Sequence, residues 1–517
     1  MAGTYVHHFL EDSARRSPDK TALLCDGREL SYGEINALAD ALAAEMVACG
    51  LRPGERVALW LPNSVGLVVG IFAVLKAGAA FVPVSPATKA DKLAFILNNC
   101  GAAGLFMDRR LRNMPACDQL RADAPGLKFI IDAGAAEASR MVPGISGANP
   151  PVASGGAQAV TSERGDSDLA CVIYTSGTTG SPKGVMCHHA GMVFATQAIV
   201  EYLENNAEDV VLSVLPMSFS YGIYQLMATF KTGARLVLEK SFTFPNLVVE
   251  RLQETRASGF AGVPTIFNLL LAMDLSRFDL SGLRYLTNAA AGLPGEQILA
   301  VKERFPQARF YSMYGQTEVV RSLYLPPDQI ARRPDSVGVP IPGTAAWIED
   351  EQGRLLPPGQ TGELIVRGPH VMSGYWDAPE ASAARFQPGR HHGERVFRSG
   401  DLFRQDEEGY FYFVSRKDDI IKCRGEKVAP MEIENALMKL AGVREVAVVG
   451  VPDPILGQAI KAVLVVDDPS VTAARVRAHC RACLEDLLVP RHVEFRSELP
   501  RTINGKIKRS ELSGTPP

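Results

Sequence analysis

The chain has little net charge: 54 Lys and Arg against 57 Asp and Glu leave −3 over 517 residues. A nucleic-acid binder usually carries a basic stripe and an excess of positive charge, so no nucleic-acid partner is expected. No apolar run is long enough to span a bilayer; the longest, Val65–Leu75, contains glycines and ends at Lys76. Residues Met1–Leu10 lack a basic segment followed by an apolar one, so no secretory signal is expected. The nine cysteines are scattered and odd in number. They fit reduced thiols in a cytoplasmic protein, not a disulfide framework. Cys480 and Cys483 are the only close pair, and without a second pair nearby they read as two positions on an amphipathic helix rather than a zinc site. Convincing internal repeats are absent too.

What is present is the composition of a globular protein, 46% apolar and 21% charged. At this length two or more domains are expected. From residue 20 to 110 strand-like and helix-like segments alternate: strands at 21–25, 30–32, 56–61 and 80–84, helices at 32–49 and 65–77. That order implies an α/β fold with a mostly parallel sheet covered by helices. Residues 133–160, rich in Ala, Gly, Ser and Pro, read as a loop inside the first domain, because the alternation resumes at Leu169. Short strands among many glycines and prolines predict a β-rich subdomain over about 336–414. A further change near Ser415–Asp419 places a domain boundary at Asp418, giving 1–417 and a small α+β domain at 418–517. That domain is predicted to hold strands at 445–451 and 460–466 and a helix from about Thr472 to Leu488.

After the strand at 169–174 comes a segment with three glycines (Gly177, Gly180, Gly184), four hydroxyls (Thr175, Ser176, Thr178, Thr179) and Lys183. Glycines bring backbone N–H groups close to an anion; hydroxyls add donors and the lysine adds charge. This chemistry suits a polyphosphate. It is not the GxxxxGK[ST] loop, because Gly184 rather than Ser or Thr follows the lysine. A flexible Gly–Ser loop would not need the preceding strand or the Pro-Lys-Gly end.

This segment resembles the signature loop of the adenylate-forming superfamily: acyl-CoA synthetases, peptide-synthetase adenylation domains and beetle luciferases. Further motifs follow in the family's order from about Phe9 to Leu512. The resemblance implies a large N-terminal domain and a small mobile C-terminal one, with ATP and Mg²⁺ as cofactors. Met313-Tyr-Gly-Gln-Thr-Glu318 matches the second nucleotide motif. By that resemblance Tyr314 stacks on adenine, Thr317 contacts the α-phosphate and Glu318 holds the metal. Asn288-Ala-Ala-Ala-Gly292, with Ala289 and Ala290, is similar to the turn against which adenine lies. Asp401 of Ser399-Gly-Asp-Leu402 corresponds to the ribose-binding aspartate, able to accept two charge-assisted hydrogen bonds, and Arg416 to a second ribose-side contact. Pro500–Arg509 matches the C-terminal signature and makes Lys506 the catalytic lysine, placed after an Asn-Gly turn. Asp418 matches the hinge, and Lys422–Pro430, with Gly425 and Glu426, the loop lining the pantetheine tunnel.

One wall of the family's acid pocket is a loop that here reads Leu215–Gln225. Phe219 stands at a gating position. Ser220 replaces the aspartate that amino-acid-activating members use for the α-ammonium. Tyr221, Tyr224, Ala261, Asn288, Met313, Arg321 and Ser322 complete the expected lining. A buried arginine needs an anionic or multiply accepting partner. Arg321 therefore binds either a second polar or acidic group of the substrate or a protein carboxylate.

The expected function is ATP-dependent activation of a carboxylic acid as acyl-AMP, then transfer to a pantetheine thiol. CoA is the expected acceptor; an acyl carrier protein, loaded with an acyl or aminoacyl group, is the alternative. Between Arg475 and Leu512 nine Lys and Arg stand against five Asp and Glu, a face suited either to such acceptors or to solvent. A luciferase-like oxygenase shares the first half-reaction and differs in light output and O₂ uptake. A catalytically dead binder is disfavoured by the intact Lys183, Glu318, Asp401 and Lys506.

Overall fold

The computed structural model describes residues 5–111, 117–133, 168–176, 182–389, 394–423, 426–454, 456–502 and 507–514. A nine-stranded sheet carries six parallel strands: Thr21–Cys25, Val210–Ser213, Arg235–Leu238, Gly259–Gly262, Tyr285–Asn288 and Arg309–Gln316. Antiparallel strands close both of its edges. A second, six-stranded sheet is parallel through Arg56–Trp60, Ala80–Val84, Ala102–Met107 and Phe129–Asp132, and continues into the hairpin Leu169–Ser176/Pro182–His188. The α/β class expected from the alternation is therefore the class observed.

Local chemistry sets the element ends. Helix Tyr32–Ala48 starts at a capping box: Ser31 Oγ accepts from Glu34 N at 3.2 Å, and Glu34 accepts from Ser31 N at 2.7 Å. The apolar run predicted as too short for a membrane is helix Val65–Lys76, capped by Ser64 and buried at every position from Leu67 to Leu75. Its apolar surface is used on all sides because it lies against strands 56–60 and 80–84 while Phe72 stacks on Phe230 at 5.2 Å, on helix Ser220–Thr232 of the other sheet. Burying such side chains contributes about 1.5–3 kcal/mol each. No helix among the described residues is long and apolar enough to cross a membrane.

The stretch read as β-rich forms a five-stranded antiparallel sheet from Ala345–Glu349, Thr361–Arg367, Phe386–Pro388, Arg395–Gln405 and Phe411–Arg416. The C-terminal residues build their own sheet on Val443–Asp453 and Gly457–Val466, with apolar clusters on both faces. There the helix starts at Ala473, with Thr472 accepting from Arg475 N, but stops at Cys483 rather than Leu488. Leu484 is extended, and Leu488 reaches the core from a separate short turn.

One buried histidine gives this fold a pH response. His370 stacks on Phe194 at 5.5 Å, its Nε2 has no hydrogen-bond partner, and burial lowers its pKa to about 4. Below about pH 6.5 the unfolded chain takes up a proton there that the folded chain refuses. The contribution of His370 to stability is thus constant above that pH and falls as pH drops towards 4, by about 3 kcal/mol in total. In urea melts at pH 7 and 5, His370→Gln is expected to show a smaller loss than the parent.

Candidate active site

The described residues of the nucleotide motifs gather where the parallel strands of the nine-stranded sheet end, the position at which open α/β sheets bind ligands. Register puts Gly262, Asn288 and Ser312 in one row across three strands. Asn288 ends its strand, buried, with Nδ2 donating to Ala291 O at 3.2 Å and Oδ1 unpartnered. Ala290 follows at φ +72°, a left-handed conformation costly for a residue with a β-carbon. That turn leaves an unused acceptor at the edge of the site.

Two hydrogen-bonded clusters flank this edge. In the first, buried Asp401 accepts from Tyr314 Oη at 2.7 Å and from Gln316 Nε2 at 2.8 Å, and Arg416 Nε lies 3.7 Å from its other oxygen. The strand pairing Asp401↔Arg416 brings the last two together. Gln316 also donates to Ser399 O and accepts from Arg385 at 3.2 Å. Gly400, at φ +67°, permits this packing, because a β-carbon there would meet the Arg385 guanidinium at 2.2 Å. Burial, then the charge of Asp401, push the Tyr314 phenol well above its ordinary pKa, so it remains a donor.

In the second cluster, buried Glu318 accepts from Tyr375 Oη at 2.7 Å, and Lys183 Nζ sits 5.5 Å from the centre of the Tyr375 ring. Backbone pairing joins them: Trp376 N donates to Gly184 O, Met186 N to Gly374 O and Met372 N to Glu318 O. No cation among the described residues pairs with Glu318. A buried carboxylate short of positive charge, beside a lysine-bearing hairpin, fits a divalent cation. Thr317 is half-buried in the turn before it.

Two paired strands, Leu169–Ser176 and Pro182–His188, flank the glycine-rich segment. The first runs to Ser176, two residues beyond the sequence expectation, and Thr175 pairs with Lys183. Thr175 Oγ1 donates to Lys183 O at 3.4 Å. Gly177, Thr178, Thr179 and Gly180 lie outside the described residues, as do Gly425 and Lys506. The flanks of the Lys506 segment are placed: Arg501 pairs with Ile507, and Lys508 N donates to Pro500 O at 2.8 Å. Arg509 anchors the segment to Glu434 at 2.7 Å and to Val448 O at 2.6 Å. Asp418 is exposed in a short turn at Lys417–Asp419, and Glu426 is exposed on strand Glu426–Val428.

Five of the expected acid-pocket residues, Phe219, Ser220, Tyr221, Tyr224 and Arg321, lie at or against one helix start. Phe219 precedes helix Ser220–Thr232 as its N-cap, Ser220 opens it, and Tyr221 and Tyr224 are buried in its first turns. Tyr221 Oη lies 2.8 Å from Thr287 Oγ1, beside Ala261 in the strand register. Met313 Sδ accepts from Tyr202 Oη, and Ser322 Oγ donates to Val319 O. Arg321 is buried over the ring of Tyr221, with no carboxylate paired to it among the described residues. Beyond these, Gln316, Tyr375, Arg385 and Arg509 were not foreseen. Only Gln316 had a local signal, its position inside the Tyr-Gly-Gln-Thr-Glu motif.

An open groove of about 710 Å³ runs beside the hairpin, lined by His188, Gly191, Arg367, Met372, Glu394 and Arg395 among others. It contains none of the expected site residues, but its wall at Met372 is the backbone that donates to Glu318.

Comparison with known proteins agrees with this geometry. A family model described as AMP-binding enzyme matches residues 10–376, and one described as AMP-binding enzyme C-terminal domain matches 432–506. The chain is 33% identical over 503 residues to a feruloyl-CoA synthase of an Amycolatopsis species, covering 96% of each. It is 32% identical over 534 residues to a long-chain-fatty-acid–CoA ligase of Escherichia coli O6:H1, covering 98% of this chain and 93% of that one. The crystal structure of ATP-bound MatB from Rhodopseudomonas palustris superposes with a TM-score of 0.87 at 28% identity, over 99% of this chain and 98% of that one. The chain belongs to the AMP-binding enzyme family.

Proposed function

We propose that the chain is an ATP-dependent, AMP-forming acid–thiol ligase, and that the residues gathered at the strand ends perform its first half-reaction. The observation that carries this reading is the pair of clusters on one hairpin: Tyr314 tied to Asp401, and Glu318 tied to Tyr375 beside Lys183. In this reading Asp401 and Arg416 take the ribose, and Asn288, Ala289, Ala290 and Tyr314 frame the adenine. Thr317 contacts the α-phosphate. Lys183 and the hydroxyls of 175–179 hold the β,γ-phosphates. Glu318 holds Mg²⁺, which supplies charge neutralisation at the phosphates.

A carboxylate oxygen of the acid attacks the α-phosphorus, the bond to the β-phosphate bridging oxygen breaks, and pyrophosphate leaves. Lys506 offsets charge at the attacked phosphate and aligns the carboxylate. A pantetheine thiol then attacks the acyl carbon, AMP leaves, and the thiol proton passes to solvent. We place the hinge at Asp418, between 1–417 and 418–517, so that the small domain turns Lys506 or the Gly425–Glu426 loop towards the site. We favour CoA as acceptor because Arg367 and Arg395 line the adjacent groove, with Glu394 beside Arg367, and nucleotide phosphates need cations. A carrier protein is the alternative. We place the enzyme in the cytoplasm, without a nucleic-acid partner.

The test is a pyrophosphate-release screen across acid classes, with and without CoA. Acid-dependent release that CoA stimulates supports a CoA ligase. Acid-dependent release indifferent to CoA supports the carrier-protein acceptor, and release independent of any acid contradicts the reading.

A further inference from the structure

The acid pocket holds a guanidinium with no anion beside it. Arg321 is 5% exposed, its Cζ stands 4.2 Å over the ring of Tyr221, and its Nε is buried without a hydrogen-bond partner. The groups whose fields it meets are the phenols of Tyr202, Tyr221 and Tyr224. Burial pushes all three above their ordinary pKa, so none supplies negative charge near neutrality. Tyr202 is already engaged with Met313, and Tyr221 with Thr287 and, as a neutral phenol, with Arg321 itself. Tyr224 Oη is buried without a partner. A ring face offsets only part of the cost of burying a cation.

The backbone is bent to put the arginine there. The pairing of Val319–Tyr324 with Arg309–Gln316 shifts register between Tyr314 and Gln316, and Arg321 adopts φ +59°. A β-bulge re-aims a side chain, and a left-handed conformation is costly for a residue other than glycine. Gly315 lies against this bend; a β-carbon there would meet Arg321 N at 2.5 Å. Tyr221 belongs to the first turn of a 13-residue helix whose N-cap, Phe219, offers no side-chain acceptor. The positive end of that helix and the guanidinium thus favour the same anion.

We propose that Arg321 sets substrate specificity by pairing with a second carboxylate, so that the acid activated here is a dicarboxylic acid, bound by one carboxylate at Arg321 and adenylated on the other. This rests on the ligase reading. Serine at position 220 agrees, since an α-ammonium would need an acidic partner there.

The experiment compares dicarboxylic acids with their own monomethyl esters in acid-dependent pyrophosphate release by the full-length enzyme. A diacid is expected to exceed its ester by at least ~10²-fold in kcat/KM, the scale of a broken buried charge pair. Arg321→Met is expected to erase or reverse that preference, and Arg321→Lys, which keeps charge but loses the planar fork, to retain part of it. A preferred diacid should raise the Tm of the parent and not of Arg321→Met. The Met variant should itself melt no lower than the parent, because it removes an unpaired buried charge. Esters or simple monoacids turned over as fast as diacids, or a preference unchanged in Arg321→Met, overturn the assignment while leaving the ligase reading intact. Pyrophosphate release with no acid of any class overturns both.

Discussion

Lys506→Ala is expected to abolish acid-dependent pyrophosphate release, by at least ~10²-fold, while transfer from supplied acyl-adenylate to the thiol stays near the parent rate. The asymmetry follows from where charge develops. In the first half-reaction an anionic carboxylate approaches an anionic phosphate, so a positioned cation lowers that barrier in particular. In the second the acyl carbon is attacked and AMP departs, and the lysine has no comparable task. The surrounding chain is built to present a residue at this place. Arg501 pairs with Ile507, Arg509 is held by Glu434 and Val448, and Leu499 and Leu512 are buried in the cluster on one face of the C-terminal sheet. Single-turnover assays of the two half-reactions check this; equal loss of both would remove Lys506 from its assigned role.

The second large effect is expected at Glu318. The residue is 9% exposed, and its carboxylate accepts a hydrogen bond from Tyr375. In the proposed role Glu318 pairs with Mg²⁺, and breaking a buried charge pair costs about 3–5 kcal/mol, so Glu318→Gln should lower kcat/KM for ATP by on the order of 10²-fold or more. It should also move the Mg²⁺ titration to higher concentration. Tyr375→Phe removes one hydrogen bond to a charged group, about 1.5–3 kcal/mol, and should lower kcat/KM for ATP less than Glu318→Gln does. A Glu318→Gln variant with reduced turnover but an unchanged Mg²⁺ dependence would make the carboxylate a structural partner of Tyr375 alone.

Candidate residues that share one short stretch of sequence could be named before the fold. Tyr314, Thr317 and Glu318 sit in one motif, and Asp401 in another. Tyr375 could not, because its contact with Glu318 depends on segment 374–376 pairing with 184–186, far away in the chain. Arg385 was missed for the same reason: its guanidinium meets Gln316 and Gly400 only once the five-stranded sheet has formed. Composition also misplaced an element end. Glycines and hydroxyls after Tyr174 read as loop, yet ladder partners carry the strand to Ser176, since pairing across the hairpin outweighs local preference. The predicted helix to Leu488 overran because Leu484, Leu487 and Leu488 keep an apolar rhythm, whereas the chain leaves the helix at Leu484 and delivers those side chains to the core from a turn. Arg321 was singled out by charge alone; the sequence could not choose between a protein carboxylate and a ligand, and among the described residues no carboxylate pairs with it, while its guanidinium stacks on Tyr221 and its Nε is unpartnered.

The central claim is that the acid is activated on phosphorus as a mixed anhydride with AMP. Turnover of a substrate acid labelled with ¹⁸O in its carboxylate, followed by mass spectrometry of the products, tests it directly. Attack by the carboxylate on the α-phosphorus leaves one labelled oxygen in AMP and none in pyrophosphate, and that is the expected result. Label in inorganic phosphate alongside ADP, or AMP free of label, would contradict it.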